Sequence, residues 1–112
     1  MRAQLMGLVE KYDLVNRTYE IFWKNYEYYL KENPVEAAEN GFVNRESIEK
    51  PVLTNIKFIL TGVDRNDTCV MQLIALDLEW RHKDKEQSAM WRYQCVFDLN
   101  GEVNDDYFRK ER

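Results

Sequence analysis

Histidine occurs once in this chain and cysteine twice, and the two cysteines do not stand at metal-ligand spacing, so no zinc or other metal site is expected. Basic residues are not in excess. With 16 Lys and Arg against 20 Asp and Glu, the net charge of −4 argues against nucleic-acid binding, which needs clustered cations to release counterions. Long apolar runs are missing too: none reaches the length of a membrane span, and the amino terminus lacks the apolar core of a signal peptide. The expectation is a soluble, cytoplasmic protein that does not enter a membrane. Only four glycines and two prolines occur, and there is no internal repeat, low-complexity tract or linker. What is present is apolar side chain: 45% of 112 residues, enough for one core and not two, so residues 1–112 read as one domain. Cys69 and Cys95 fall inside predicted strands and are most simply buried thiols. Nothing in the composition calls for a cofactor.

The hydrophobic period changes near Asn55. Before it, Leu5, Leu8, Val9, Tyr12, Val15, Tyr19, Phe22, Trp23, Tyr26, Tyr29 and Leu30 mark one face of a long amphipathic helix, interrupted weakly at Gly7 and Asp13, where Asp13 could cap a second segment. Asn33-Pro34 with Glu36 opens a short helix, which Asn40-Gly41 closes. Asn44 starts a further turn through Ile48, stopped before Pro51. The helical part thus covers about 2–50.

A strand meander follows over about 52–110. Leu53 to Val63 and Thr68 to Arg81 form a hairpin about the turn-prone residues 64–67. A charged loop from His82 to Gln87 leads to a third strand over Ala89 to Leu99, and Asn100-Gly101 turns the chain into a fourth over Glu102 to Arg109. The predicted class is α+β: N-terminal helices packed on a four-stranded antiparallel sheet.

Alternation sorts the strand residues between two faces. Val70, Gln72, Ile74, Leu76, Leu78 and Trp80 share one face of strand two; Trp91, Tyr93, Cys95, Phe97 and Leu99 share the matching face of strand three. Pairing Trp80 with Trp91 sets Leu78 against Tyr93 and Ile74 against Phe97 toward the helices, and places Glu79 opposite Arg92 outside. On that outer face Ile59, Val63, Met71, Leu73, Ala75, Met90 and Val96 gather into an apolar patch. A patch of this kind implies a second covering layer, either a homodimer or a protein partner packed sheet to sheet. The alternative is a small patch covered by long side chains such as Lys57 and Arg92.

Two segments carry a family resemblance. Asn44-Arg45-Glu46-Ser47-Ile48 resembles the segment that precedes the sheet in the nuclear transport factor 2-like superfamily, and Phe97 to Val103 with Tyr107 resembles that superfamily's closing hairpin. The chain differs in having Asn44 for glycine and Glu102 for lysine, with little room for a short early strand. The resemblance, over roughly Asn44 to Tyr107, implies a cone-shaped cystatin-like fold with a curved sheet and a pocket between sheet and helices. The superfamily includes SnoaL-like cyclases, ketosteroid isomerases, epoxide hydrolases and pure binding proteins; periplasmic assembly domains of secretion machines share the fold.

The residues themselves suggest two kinds of site. Tyr19, Trp23, Tyr26, Trp80, Trp91, Tyr93 and Phe97 either line a pocket for a small hydrophobic ligand or fill the core. Enzymatic members hold a carboxylate inside the cone, and Asp77, Glu79, Arg81 and Asp98 point away from it. Catalytic candidates are then Asp105 or Asp106: a two-residue turn at Asn100-Gly101 sends Asn104 and Asp106 inward, a three-residue turn with a bulge sends Val103, Asp105 and Tyr107 inward, and one aspartate of the pair faces the cone if the strand stays regular, with a phenol from Tyr19 or Tyr93 as donor. His82 reads as an exposed loop residue between cations. The leading expectation is a non-catalytic domain binding a small apolar ligand or a protein partner. Its alternative is a cofactor-free isomerase, cyclase or hydrolase of a hydrophobic substrate.

Overall fold

Leu14, Thr18, Phe22 and Tyr26 stand four residues apart and so share one stripe, which is the buried side of the long helix. The computed structural model describes residues 2–61, 71–83 and 90–111. Helix α1 (Arg2–Lys11) continues through Gly7, and the chain breaks at Asp13 before α2 (Leu14–Glu32). Asp13 adopts a left-handed conformation with φ 52°; its carboxylate accepts from Asn16 Nδ2 at 3.0 Å and caps no backbone N–H. The expected break is there, and its cause is the backbone turn, not a side-chain cap. Helix α3 (Pro34–Glu39) begins at proline and ends in the left-handed Gly41 with φ 83°. A 3-10 turn (Arg45–Ser47) follows, where the Ser47 hydroxyl accepts from Asn44 N and donates to Asn44 Oδ1.

Strands β1 (Val52–Thr61), β2 (Met71–Arg81), β3 (Met90–Asp98) and β4 (Val103–Glu111) form one antiparallel sheet in sequence order. The β2/β3 register is Trp80 with Trp91, Leu78 with Tyr93, Ile74 with Phe97 and Glu79 with Arg92, as alternation predicts. Arg92 reaches Glu79 at 3.1 Å. The inner face of the sheet carries Ile74, Leu76, Leu78, Trp80, Tyr93, Cys95 and Phe97, which join Val9, Leu14, Phe22 and Tyr26 in the main core. The expected residues 64–67 of the first hairpin turn, together with Val63, Cys69, Val70 and the loop over 84–87, lie outside the described residues.

The outer face holds a second, smaller core of Leu73, Ala75 and Val96, with Ile59 packed against it. These three are only 7%, 0% and 4% exposed in a single chain, so their burial needs no second subunit. Met90 is half-buried, and the side chain of Met71 lies outside the described residues. Asp77 sits on this face and is itself buried; it accepts from Gln94 Nε2 at 2.8 Å and pairs with Lys57 at 3.3 Å. Partnering of this kind keeps a buried carboxylate from being a large cost.

The turn between β3 and β4 decides where the candidate carboxylates point. Asp98 N donates to Glu102 O and Gly101 N to Asp98 O, which leaves Leu99, Asn100 and Gly101 as a three-residue loop closed by a left-handed glycine with φ 79°. Asp98 Oδ1 accepts from Asn100 N and Glu102 N and fixes the turn. Val103 accordingly lies opposite Phe97. The strand does not stay regular: Asp105 pairs with Val96, so Asn104 is an extra residue that reverses the phase of everything after it. Asp106, opposite Cys95, therefore faces the helices. Asp105 faces outward and accepts from the Tyr107 hydroxyl at 2.7 Å, which removes it as an inward catalytic candidate.

Candidate functional site

Six aromatic rings meet where the end of α2, α3 and the segment after it close over the far ends of β2, β3 and β4. Tyr26 and Tyr29 come from consecutive turns of α2, Phe42 follows the Gly41 turn, and Trp80, Trp91 and Phe108 come from the three strands. With Glu36 and Asn40 of the α3 segment they enclose a cavity of about 220 Å³. Its walls stand at steep angles: Phe42 meets Trp91 at 69° with ring centres 5.0 Å apart, Tyr26 meets Phe42 at 74°, and Phe108 meets Trp80 at 85°. Trp80 and Trp91 lie nearly parallel at 6.2 Å. Edge-to-face contacts of this sort are the geometry that ring quadrupoles favour.

His82 supports the Phe42 wall from behind. It is 6% exposed, stacks on Phe42 at 4.6 Å and 7°, and its Nε2 lies 2.6 Å from the Asn40 carbonyl oxygen. A carbonyl only accepts, so Nε2 carries the proton in this contact. The exposed-loop expectation for His82 is thus overturned. Glu49 N donates to Arg81 O and Lys83 N to Ser47 O, and these bonds draw the end of β2 under the residues after α3. A cationic local sequence carries no trace of partners more than thirty residues earlier. Gly41 is required here, because a Cβ at that position would stand 2.9 Å from His82 Nε2.

Of the aromatic residues expected to line a pocket, Tyr26, Trp80 and Trp91 do so. Tyr93 and Phe97 instead fill the core with no exposure. Tyr19 accepts a hydrogen bond from Leu53 N at 3.0 Å and ties α2 to β1. Trp23 lies under the Arg45 guanidinium at 4.7 Å; it shares a shallow outer groove with Tyr19 and Arg45, whose guanidinium also pairs with Glu27. Alternation left the phase of β4 open and so did not single out Phe108, which shares the phase of Asp106. It missed Phe42 and Tyr29 because their positions depend on how α3 folds back.

Asp106 forms a separate polar cluster. Its Oδ2 accepts from Asn25 Nδ2 at 2.6 Å and from the Tyr93 hydroxyl at 2.9 Å, so the expected pairing of an inward aspartate with a tyrosine phenol is present. Burial, chiefly, and the neighbouring Cys95 and Asp106 raise the Tyr93 phenol well above its ordinary value, so it stays a donor. Asp106 is not among the residues that line the cavity, whereas Phe108, two residues on along the same face, is. The cluster joins α2 to β3 and β4 across the core.

The indole N–H groups of Trp80 and Trp91 are buried with no hydrogen-bond partner among the described residues. Among those residues no group of three or more His, Cys, Asp or Glu side chains is placed to hold a metal, and no helix is long and apolar enough to cross a membrane. Comparison of the chain with protein-family models, with curated proteins and with solved structures finds no match.

Proposed function

We propose that this chain is a non-catalytic, cytoplasmic binding domain of the nuclear transport factor 2-like cone type, which holds a small ligand in the aromatic cavity between its helices and its sheet. The observation that carries the proposal is the cavity of about 220 Å³ walled by six aromatic rings. Concave, mostly apolar sites with a few polar groups are where small molecules bind, and most span about 300–1,000 Å³. A volume below that range suits a compact ligand or one group of a larger one.

The isomerase, cyclase or hydrolase alternative needs a carboxylate that meets the substrate. Asp106 has its inward oxygen engaged by Asn25 and Tyr93 and does not line the cavity, so the binding role is preferred. Pairing through the outer sheet face is likewise a weaker basis for function, because Leu73, Ala75 and Val96 are already covered within one chain.

Intrinsic fluorescence tests the proposal directly, since two of the three tryptophans line the cavity and the third, Trp23, lies in the outer groove. A screen of compact neutral, cationic and anionic compounds should yield binders that shift the emission and lose the shift in Trp91→Phe. If no compound moves the emission or raises the unfolding temperature at millimolar concentration, the binding role is wrong.

A further inference from the structure

Resting on that binding role, we infer that the cavity selects a fully alkylated ammonium group, of the kind carried by choline. A cation is stabilised over the face of an aromatic ring when it lies within about 6 Å of the ring centre, and several rings set at steep angles surround such a charge with their negative faces. Six rings line this cavity, and three pairs among them stand at 69°, 74° and 85° to each other. Glu36 is the only charged side chain among its described lining residues, and it is solvent-exposed, so an anion sits at the rim of an otherwise uncharged box.

The chemistry of the walls separates an alkylated ammonium from a primary one. A primary ammonium brings three N–H donors that need acceptors, whereas the lining is dominated by ring carbon; a quaternary nitrogen has no N–H to satisfy and loses less on entering. An anion is disfavoured by Glu36. The faces of aromatic rings hold such a cation without hydrogen bonds. The protein already uses its tryptophans in this way: Arg45 lies 4.7 Å from the Trp23 ring, and Lys110 Nζ lies 5.8 Å from that of Trp91. Lys110 is the cation that a ligand charge must oppose. Its removal should therefore help binding, and removal of Glu36 should harm it.

Calorimetric titration of the full chain with choline and with 3,3-dimethyl-1-butanol, its uncharged carbon isostere, is the deciding experiment. Choline should bind at least tenfold more tightly than the alcohol. Glu36→Gln should weaken choline about three- to tenfold more than it weakens the alcohol, and Lys110→Met should tighten choline relative to the alcohol; each residue is exposed, so neither variant threatens the fold. Equal or tighter binding of the alcohol would overturn the cation preference and leave the binding role standing. Failure of both compounds would overturn the inference, and the fluorescence screen then judges the binding role independently.

Discussion

Replacing Gly101 by alanine should destabilise the protein through two effects that can be measured apart. Gly101 sits at φ 79°, and an alanine there would place its Cβ 2.6, 2.8 and 3.0 Å from Cγ, Cδ1 and Cβ of Tyr12. The left-handed conformation costs an L-residue about 1–2 kcal/mol. Forcing a methyl against the stem of a packed ring costs about 1–3 kcal/mol more, because Cβ and Cγ cannot swing aside as a side-chain tip can. Alanine also narrows the unfolded ensemble, which returns about 0.4–1 kcal/mol. The net expectation is a loss of about 1.5–4 kcal/mol, read from urea unfolding as a lower midpoint at unchanged slope. Tyr12→Ala and the double variant complete a cycle. The double variant should be less destabilised than the sum of the singles by the contact part, about 1–3 kcal/mol, with the backbone part remaining. A Gly101→Ala protein within about 0.5 kcal/mol of the parent would refute the geometry, since a surface change without such strain falls in that range. Strictly additive singles would refute the Tyr12 contact while leaving the turn conformation intact. The consequence reaches beyond stability, because this turn also receives the Arg17 guanidinium at the Gly101 carbonyl and sets the start of β4, which carries Phe108 to the cavity.

Two further expectations concern buried protons. Burial pushes the Tyr26 phenol from 10.0 up to about 12 and the Cys95 thiol from 9.0 up to about 11, so the folded state keeps protons that the unfolded chain releases. Their contribution to stability is complete below about pH 9 and is lost as pH rises through about 12, and urea midpoints should fall steadily across that window; a flat profile would contradict it. In a Cys69→Ser variant, Cys95, which has no exposure, should resist iodoacetamide at mildly alkaline pH and take up one equivalent on unfolding. Rapid labelling of the folded variant would show that this thiol is not buried.

Local pattern was sufficient for much of this architecture. The helical period reaches Phe22 and Tyr26 of the buried stripe of α2, although Leu14 and Thr18 complete that stripe in place of Val15 and Tyr19, and Pro34 and Gly41 bracket α3, since helix period, proline and glycine act through the backbone within a few residues. Alternation was enough for the β2/β3 register, because a slip of one residue would send Leu78, Tyr93 and Phe97 to the outer face. The break at Asp13 was legible as a place but not as a cause, since both a side-chain cap and a left-handed backbone permit it.

What the sequence by itself determined, then, is which residues are helical, which are extended and which faces of β2 and β3 turn toward the helices. Tertiary structure decided the rest of the site beyond Tyr26, Trp80 and Trp91. The extra residue Asn104 reverses the phase of β4 and turns Asp106 and Phe108, not Asp105 and Tyr107, toward the helices, a choice between two phases that the local sequence leaves open. The folding back of the chain after α3 buries His82 and turns Phe42, Tyr29 and Glu36 into walls of the cavity. Those contacts join residues some forty positions apart. Their energies arise from packing between elements, to which the period within any one element is blind.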